Sequence, residues 1–417
     1  MKQKIPSLLL TALLLTGCGA SETELITAAE PDAAVGITAL SETAAAPDAG
    51  FLVREYGFSL DLLRRTLQSK PGENVMLSPY SVMQALGMTA NGAAGQTRTE
   101  METLLIGSGR TVDDLNAALC SWRTGRPEEQ GSCKLHAANG IWINGSEQYV
   151  KESFLEQNRK FYDAAVHSVP FDNAALKEIN NFVKKETDGM VPVILETLDP
   201  AAEMVLVNAV SFEAAWQLPY QANQIENDKF TNADGSKQSV PMMTGTENDY
   251  LEQNGAVGFL KYYDGQYAFA GILPPKKVSV QEWLSQQSAE SLCAMIAGRT
   301  DEPVLATIPQ FSADTSMQLE NILPDMGMPT AFSGEADFSG INDHRLIIDE
   351  VVHKTHIDVD AQGTKAAAAT AVVLTKEIGE TDTSKLKTVR LDRPFVYMIL
   401  DMTNELPVFI GTVNTLS

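Results

Sequence analysis

The stretch GTKAAAATAVVLTKE, residues 363–377, decides how the rest of the chain is read. It sets small, uncharged residues in a row, with Lys365 its only charge before Lys376. Alanine has the highest intrinsic helix propensity, so a surface helix is the plain reading. Such a helix needs a polar face at a period of 3.6, and residues 366–374 carry no charge on any face. At a period of two the pattern resolves. Thr364, Ala366, Ala368, Thr370, Val372 and Leu374 are all small or apolar, while Lys365 falls on the odd set with Ala367 and Ala369. One face is therefore buriable in a strand. The pattern fits a segment that is a strand only part of the time.

The chain has 417 residues, 44% hydrophobic and 20% charged, which is globular composition with room for a sizeable core. Its formal net charge of -23 argues against a nucleic-acid partner, because phosphate binding needs clustered Lys and Arg. Residues 1–18, MKQKIPSLLLTALLLTGC, place lysines before a short apolar run and so read as a secretory signal. Leu15-Thr16-Gly17-Cys18 resembles a bacterial lipobox, in which the Cys18 thiol is acylated and anchors the exported protein to a membrane. An ordinary signal peptide with an incidental cysteine is the alternative. Residues 19–50 are rich in Ala, Glu, Asp, Ser and Thr and read as a flexible acidic tether, leaving 51–417 as the folded domain. Cys120 and Cys133 flank a hydrophilic loop, and a bridge between them and two separate buried thiols both fit; Cys293 is left over.

Apolar spacing predicts helices over 51–70, 81–90, 150–161, 174–187, 279–298 and 316–323, and strands over 135–143, 204–212, 267–273, 346–359 and 395–400. Helices come early and strands dominate later, so the expected class is α+β. Motifs for catalysis or cofactor binding are missing: G-x-S-x-G, H-E-x-x-H, G-x-x-x-x-G-K-[ST] and G-x-G-x-x-G do not occur. His353 and His356 lie three apart in a strand-like run, point to opposite faces and make a poor metal pair. Neither an enzyme nor a cofactor or metal protein is expected.

Several stretches together resemble one family, the serpins. They are Asn74 to Ser81 (NVMLSPYS) with Gly92 to Thr97 (GAAGQT), Asn180 to Val183 with Thr187 to Met190, Leu206 to Phe212 with Trp216, His353-Lys354 with Gly363 to Thr370, Arg393-Pro394-Phe395, and Pro407 to Gly411. They occur in the family's order and cover roughly residues 51 to 417.

The resemblance implies a three-sheet body with about nine helices and an exposed reactive-centre loop. It implies a monomeric, irreversible suicide-substrate inhibitor of extracellular serine proteases: the loop is cleaved, an acyl-enzyme is trapped, and the loop inserts into the central sheet. Gly363, Thr364, Lys365, Ala366, Ala367, Ala368, Ala369 and Thr370 then form the hinge. Ser78, Ser81, Asn208 and His353 form the shutter beneath the opening strands, and Trp216 sits at the breach where insertion begins. Counting from the hinge glycine places the reactive bond between Glu377 and Ile378, with Lys376 as the rival position. Glu377 suits a Glu-specific protease, Lys376 a trypsin-like one, and Val373, Leu374 or Thr375 an elastase-like one. Ala361 and Lys365 stand where the family commonly has acids, and both are expected on the outward face. A non-inhibitory serpin serving as a binding or chaperone module carries bulky or charged residues on the inward hinge face, and Thr364, Ala366, Ala368 and Thr370 are none of these. An inhibitor of cysteine proteases remains open, since the trap needs only an acyl-enzyme.

Overall fold

Caps set the helix starts. In the computed structural model, which describes residues 48–125, 131–145, 150–364 and 386–416, Asp48 accepts from Phe51 N to open α1 (Ala49–Ser69), slightly before the expected boundary at 51. Ser78 caps α2 (Pro79–Ala90), with proline at the first turn, where its missing N–H is harmless. The helices α3 (Gly95–Leu105) and α4 (Val112–Thr124) follow, the latter opened by a Thr111/Asp114 capping box. Next come α5 (Glu152–Tyr162) and α6 (Asn173–Glu186). The single helix expected over 279–298 is two, α7 (Val280–Ser285) and α8 (Ala289–Ala297), because Ser288 builds a second capping box. Eight α-helices lie among the described residues.

The strands in chain order are β1 (Val75–Leu77), β2 (Lys134–Asn144), β3 (Ala165–Val169), β4 (Met204–Ala215), β5 (Ile225–Thr231), β6 (Lys237–Gln253), β7 (Ala256–Tyr262), β8 (Tyr267–Leu273), β9 (Thr300–Pro309), β10 (Phe311–Gln318), β11 (Glu350–Val359), β12 (Gly363–Thr364), β13 (Lys387–Arg390), β14 (Phe395–Asp401) and β15 (Leu406–Val413). One sheet has six strands in the order β10-β11-β12-β4-β2-β3. The other has nine, ordered β1-β15-β14-β8-β7-β6-β9-β13 with β5 on β6. Two of the three expected sheets are thus continuous among the described residues. The cause is β6, 17 residues long, which pairs with β5 at one end and β7 at the other.

The helix expected over 316–323 is corrected. FSADTSMQ alternates buried and exposed throughout, so it is the strand β10, and a single 3-10 turn (Leu319–Asn321) follows. The strand expected from 346 begins at Glu350, because Asp349 turns aside to accept from Glu203 N and Met204 N. All twelve residues of α2 are buried, as befits a helix threaded through the core. β4 is buried along nearly its whole length because both of its faces are covered. A separate cluster that includes Trp142, Ile179, Val183, Val205, Val207 and Val352 packs α6 onto the six-stranded sheet.

Candidate functional site: the seam between β4 and β11

The six-stranded sheet contains a parallel contact between strands far apart in sequence. β11 pairs with β4 through seven residue pairs, from Glu350 opposite Val205 to His356 opposite Ser211. Above this closed seam the chain turns back, and β12 lies between the two strands. Gly363 faces Ala215, and Thr364 faces Ala214 on one side and Val359 on the other, both contacts antiparallel.

The turn is held tightly. Asp360 Oδ1 accepts from Gln362 N and Gly363 N, at 2.7 and 3.1 Å. Trp216 N donates to Gln362 O (2.8 Å) and Tyr220 N to Ala361 O (2.9 Å). The Trp216 indole N–H donates to Asp360 O at 2.9 Å, and its ring stacks on Tyr263 with centroids 4.3 Å apart. Thr364 is fully buried, its hydroxyl 2.6 Å from Tyr263 OH. Gly363 has no space for a side chain: a Cβ there would sit 2.0 Å from Ala214 O. Beneath the turn, Lys261 Nζ donates to Glu247 at 2.8 Å and lies 4.3 Å over the Tyr220 ring. Burial outweighs this lysine and holds the Glu247 carboxyl above its ordinary range.

Lower in the seam the four expected shutter residues come together, all fully buried. Ser78 N–H donates to His353 Nε2 at 3.1 Å, which leaves the imidazole proton on Nδ1 to bond Asn208 Oδ1. Asn208 Nδ2 lies 2.7 Å from both Ser81 O and Asn139 Oδ1, while Ser78 Oγ donates to Val408 O (2.9 Å). Burial pushes His353 down to about 3, so the ring is neutral and can accept and donate at once. Separating β4 from β11 by one strand spacing, about 4.8 Å, breaks the seven-pair ladder and the His353–Asn208 bond together.

The expectation for Ala361 is corrected. It does not face outward; it is half-buried against the core, drawn in by the Tyr220 N–H. Cys120 and Cys133 are free thiols, both buried, and the Cys133 Sγ–H donates to Asp264 O at 3.3 Å. His356 lies on the opposite face from His353 and bonds Asp314 and Asp358. Lys365 to Thr370, Lys376, Glu377, Ile378 and the Cys18 lipidation site lie outside the described residues. Sequence reasoning missed Gln84, Asn139 and Tyr263. Asn139 carried a signal, since it is an amide set between Ala138 and the buried run Gly140 to Ile143, and Gln84 carried the same signal in a helix with no exposed face.

The comparisons agree with this geometry. A family model described as "Serpin (serine protease inhibitor)" matches residues 54–416. Serpin A9 of Mus musculus is 32% identical over 376 residues, which are 85% of this chain and 86% of that protein. A serpin-like protein of Thermococcus kodakarensis is 31% identical over 363 residues, 85% of this chain and 83% of that protein. The crystal structure of tengpin, a thermophilic serpin, in its native state superposes with a TM-score of 0.82 at 36% identity, covering 90% of this chain and 98% of that one. With the family model running from α1 into the last residues after β15, the chain belongs to the serpin family, whose members are generally protease inhibitors and not catalysts.

Proposed function

We propose that this protein is an irreversible suicide-substrate inhibitor of extracellular serine proteases, held at a membrane surface through acylated Cys18. The observation that carries the reading is the two-residue strand β12, lodged antiparallel above a closed parallel seam. It is the first rung of an insertion whose remaining rungs can be counted. On this reading the insertion keeps both registers of β12, so that Lys365 would enter between Glu213 and Asp358, Thr370 between Asn208 and His353, and Leu374 opposite Met204 at the end of β4.

Each landing is chemically suitable. Ala366, Ala368 and Val372 bring no charge into the buried face. The Thr370 hydroxyl arrives beside two groups whose mutual bond the insertion has broken, and it can bond both. In the covalent step the protease serine attacks the carbonyl of Glu377, the amine of Ile378 leaves, and the ester is carried off before water hydrolyses it. About eleven inserted residues at ~3.3 Å each move the bound protease some 36 Å.

The test is incubation with trypsin, an elastase and a Glu-specific endopeptidase. An SDS-resistant complex should form with at least one of them, releasing a peptide that begins within residues 375–379. Nicking the loop should also raise the melting temperature, because insertion adds ladder hydrogen bonds and buries apolar area. Cleavage without a complex, together with an unchanged or lower melting point, would overturn the inhibitory reading and leave a binding or chaperone module. A peptide starting elsewhere would overturn the hinge count alone.

A further inference from the structure

A cavity of about 420 Å³ opens beside β2, walled by α2, α6 and the ends of α4 and α5. This volume lies within the range of small-molecule sites. Among the described residues, two of its lining groups have buried atoms with no hydrogen-bond partner: Arg123 Nε–H, a donor, and Gln266 Oε1, an acceptor. Among the described residues, Arg123 otherwise reaches Phe161 O alone, at 3.4 Å. Leu135, Ala137, Phe182 and Tyr267 supply apolar and aromatic wall. The Asp163 and Glu186 carboxylates also line the cavity and disfavour a ligand with more than one negative charge.

We propose that this cavity binds a small apolar carboxylic acid bearing one N–H donor, as an N-acylated amino acid does. The carboxylate accepts from Arg123, the N–H donates to Gln266, and the apolar body fills the space between them. Occupancy reaches the shutter through its own hydrogen bonds. Tyr80, Gln84 and Asn139 line the same cavity; Gln84 Nε2 donates to Tyr80 OH, Asn139 Nδ2 to Gln84 Oε1, and Asn208 to Asn139 Oδ1. A ligand that fixes this end of the chain holds Asn208 against His353 and slows opening of the seam, a consequence that rests on the loop-insertion reading.

The probe is N-acetyl-L-phenylalanine, with its methyl ester as control, titrated into the full-length protein while melting is followed. The acid should raise the midpoint saturably by about 3 °C at millimolar concentration, and the ester should not. Arg123→Met and Gln266→Leu should each weaken the effect by about tenfold. A missing shift up to about 10 mM, or a shift kept in both variants, overturns the site, whatever becomes of protease inhibition. If the acid binds but heat-driven conversion to a loop-inserted form keeps its rate, the site stands and its coupling to the shutter is overturned.

Discussion

Gly363 owes its identity to Ala214, whose carbonyl leaves no volume for a Cβ. Gly363→Ala should therefore expel β12 or force β4 to shift, lowering native stability by about 1–3 kcal/mol. Urea unfolding measures this, and an unchanged midpoint would mean that the hinge is not seated between the strands. His353 is a second position where one atom matters. His353→Phe keeps the ring volume but strands the Ser78 N–H and Asn208 Oδ1, a loss of about 2–4 kcal/mol that should also speed spontaneous loop insertion. Retention of wild-type stability would show that neither bond contributes. That Ser78, Ser81, Asn208 and His353 meet was legible because family motifs place them by number. Their geometry was not, because Asn139 and Gln84 join the cluster from elements more than 50 residues from the positions they serve.

At the level of elements, the stretch 363–377 declared a strand through its period-two pattern, and the described part of it, β12, is one. β5, β6 and β9 escaped the reading because they carry many exposed polar residues or long mixed patterns, as in Lys237–Gln253; β7, short and mostly apolar, shows no such pattern and escaped it too. β5 and β7 pair with β6 across short hairpins, while β9 reaches β6 from far along the chain, a pairing that local propensity does not announce. Lys365 gives the element-scale prediction. On the proposed insertion register its landing place is between Glu213 and Asp358, both half-buried, so insertion would match the lysine that departs from the family pattern with two carboxylates. Lys365→Glu should slow insertion by about two- to fivefold, as a surface ion pair worth 0.2–1 kcal/mol allows. Stoichiometry of inhibition should rise accordingly, and salt should lessen the difference between variant and wild type. An unchanged stoichiometry at low salt would refute the register.

For the whole molecule, two buried groups of opposite sign shape the dependence on pH. His353 is held at about 3 against an ordinary 6.5, so its contribution is complete above 6.5 and is lost as pH falls toward 3. Glu55 is fully buried, Ser59 donates to it at 2.8 Å, and burial raises it well above the ordinary 4.5. Its contribution is complete below 4.5 and is lost as pH rises. Glu55→Gln keeps the oxygen that accepts from Ser59 and removes this loss. The variant should match wild type near pH 4 and exceed it increasingly toward pH 9 in urea unfolding; parallel curves would show that Glu55 does not titrate in the fold. A further consequence follows from the strand order of the nine-stranded sheet. β14 and β15, late in the chain, lie inside it, and among the described strands β15 is the one sheet neighbour of β1, synthesised over 300 residues earlier. The body therefore cannot close while the chain is still emerging. Translation delivers an incomplete sheet with an open edge, and any message truncated before residue 395 yields a product for chaperones and proteases rather than a smaller version of the fold.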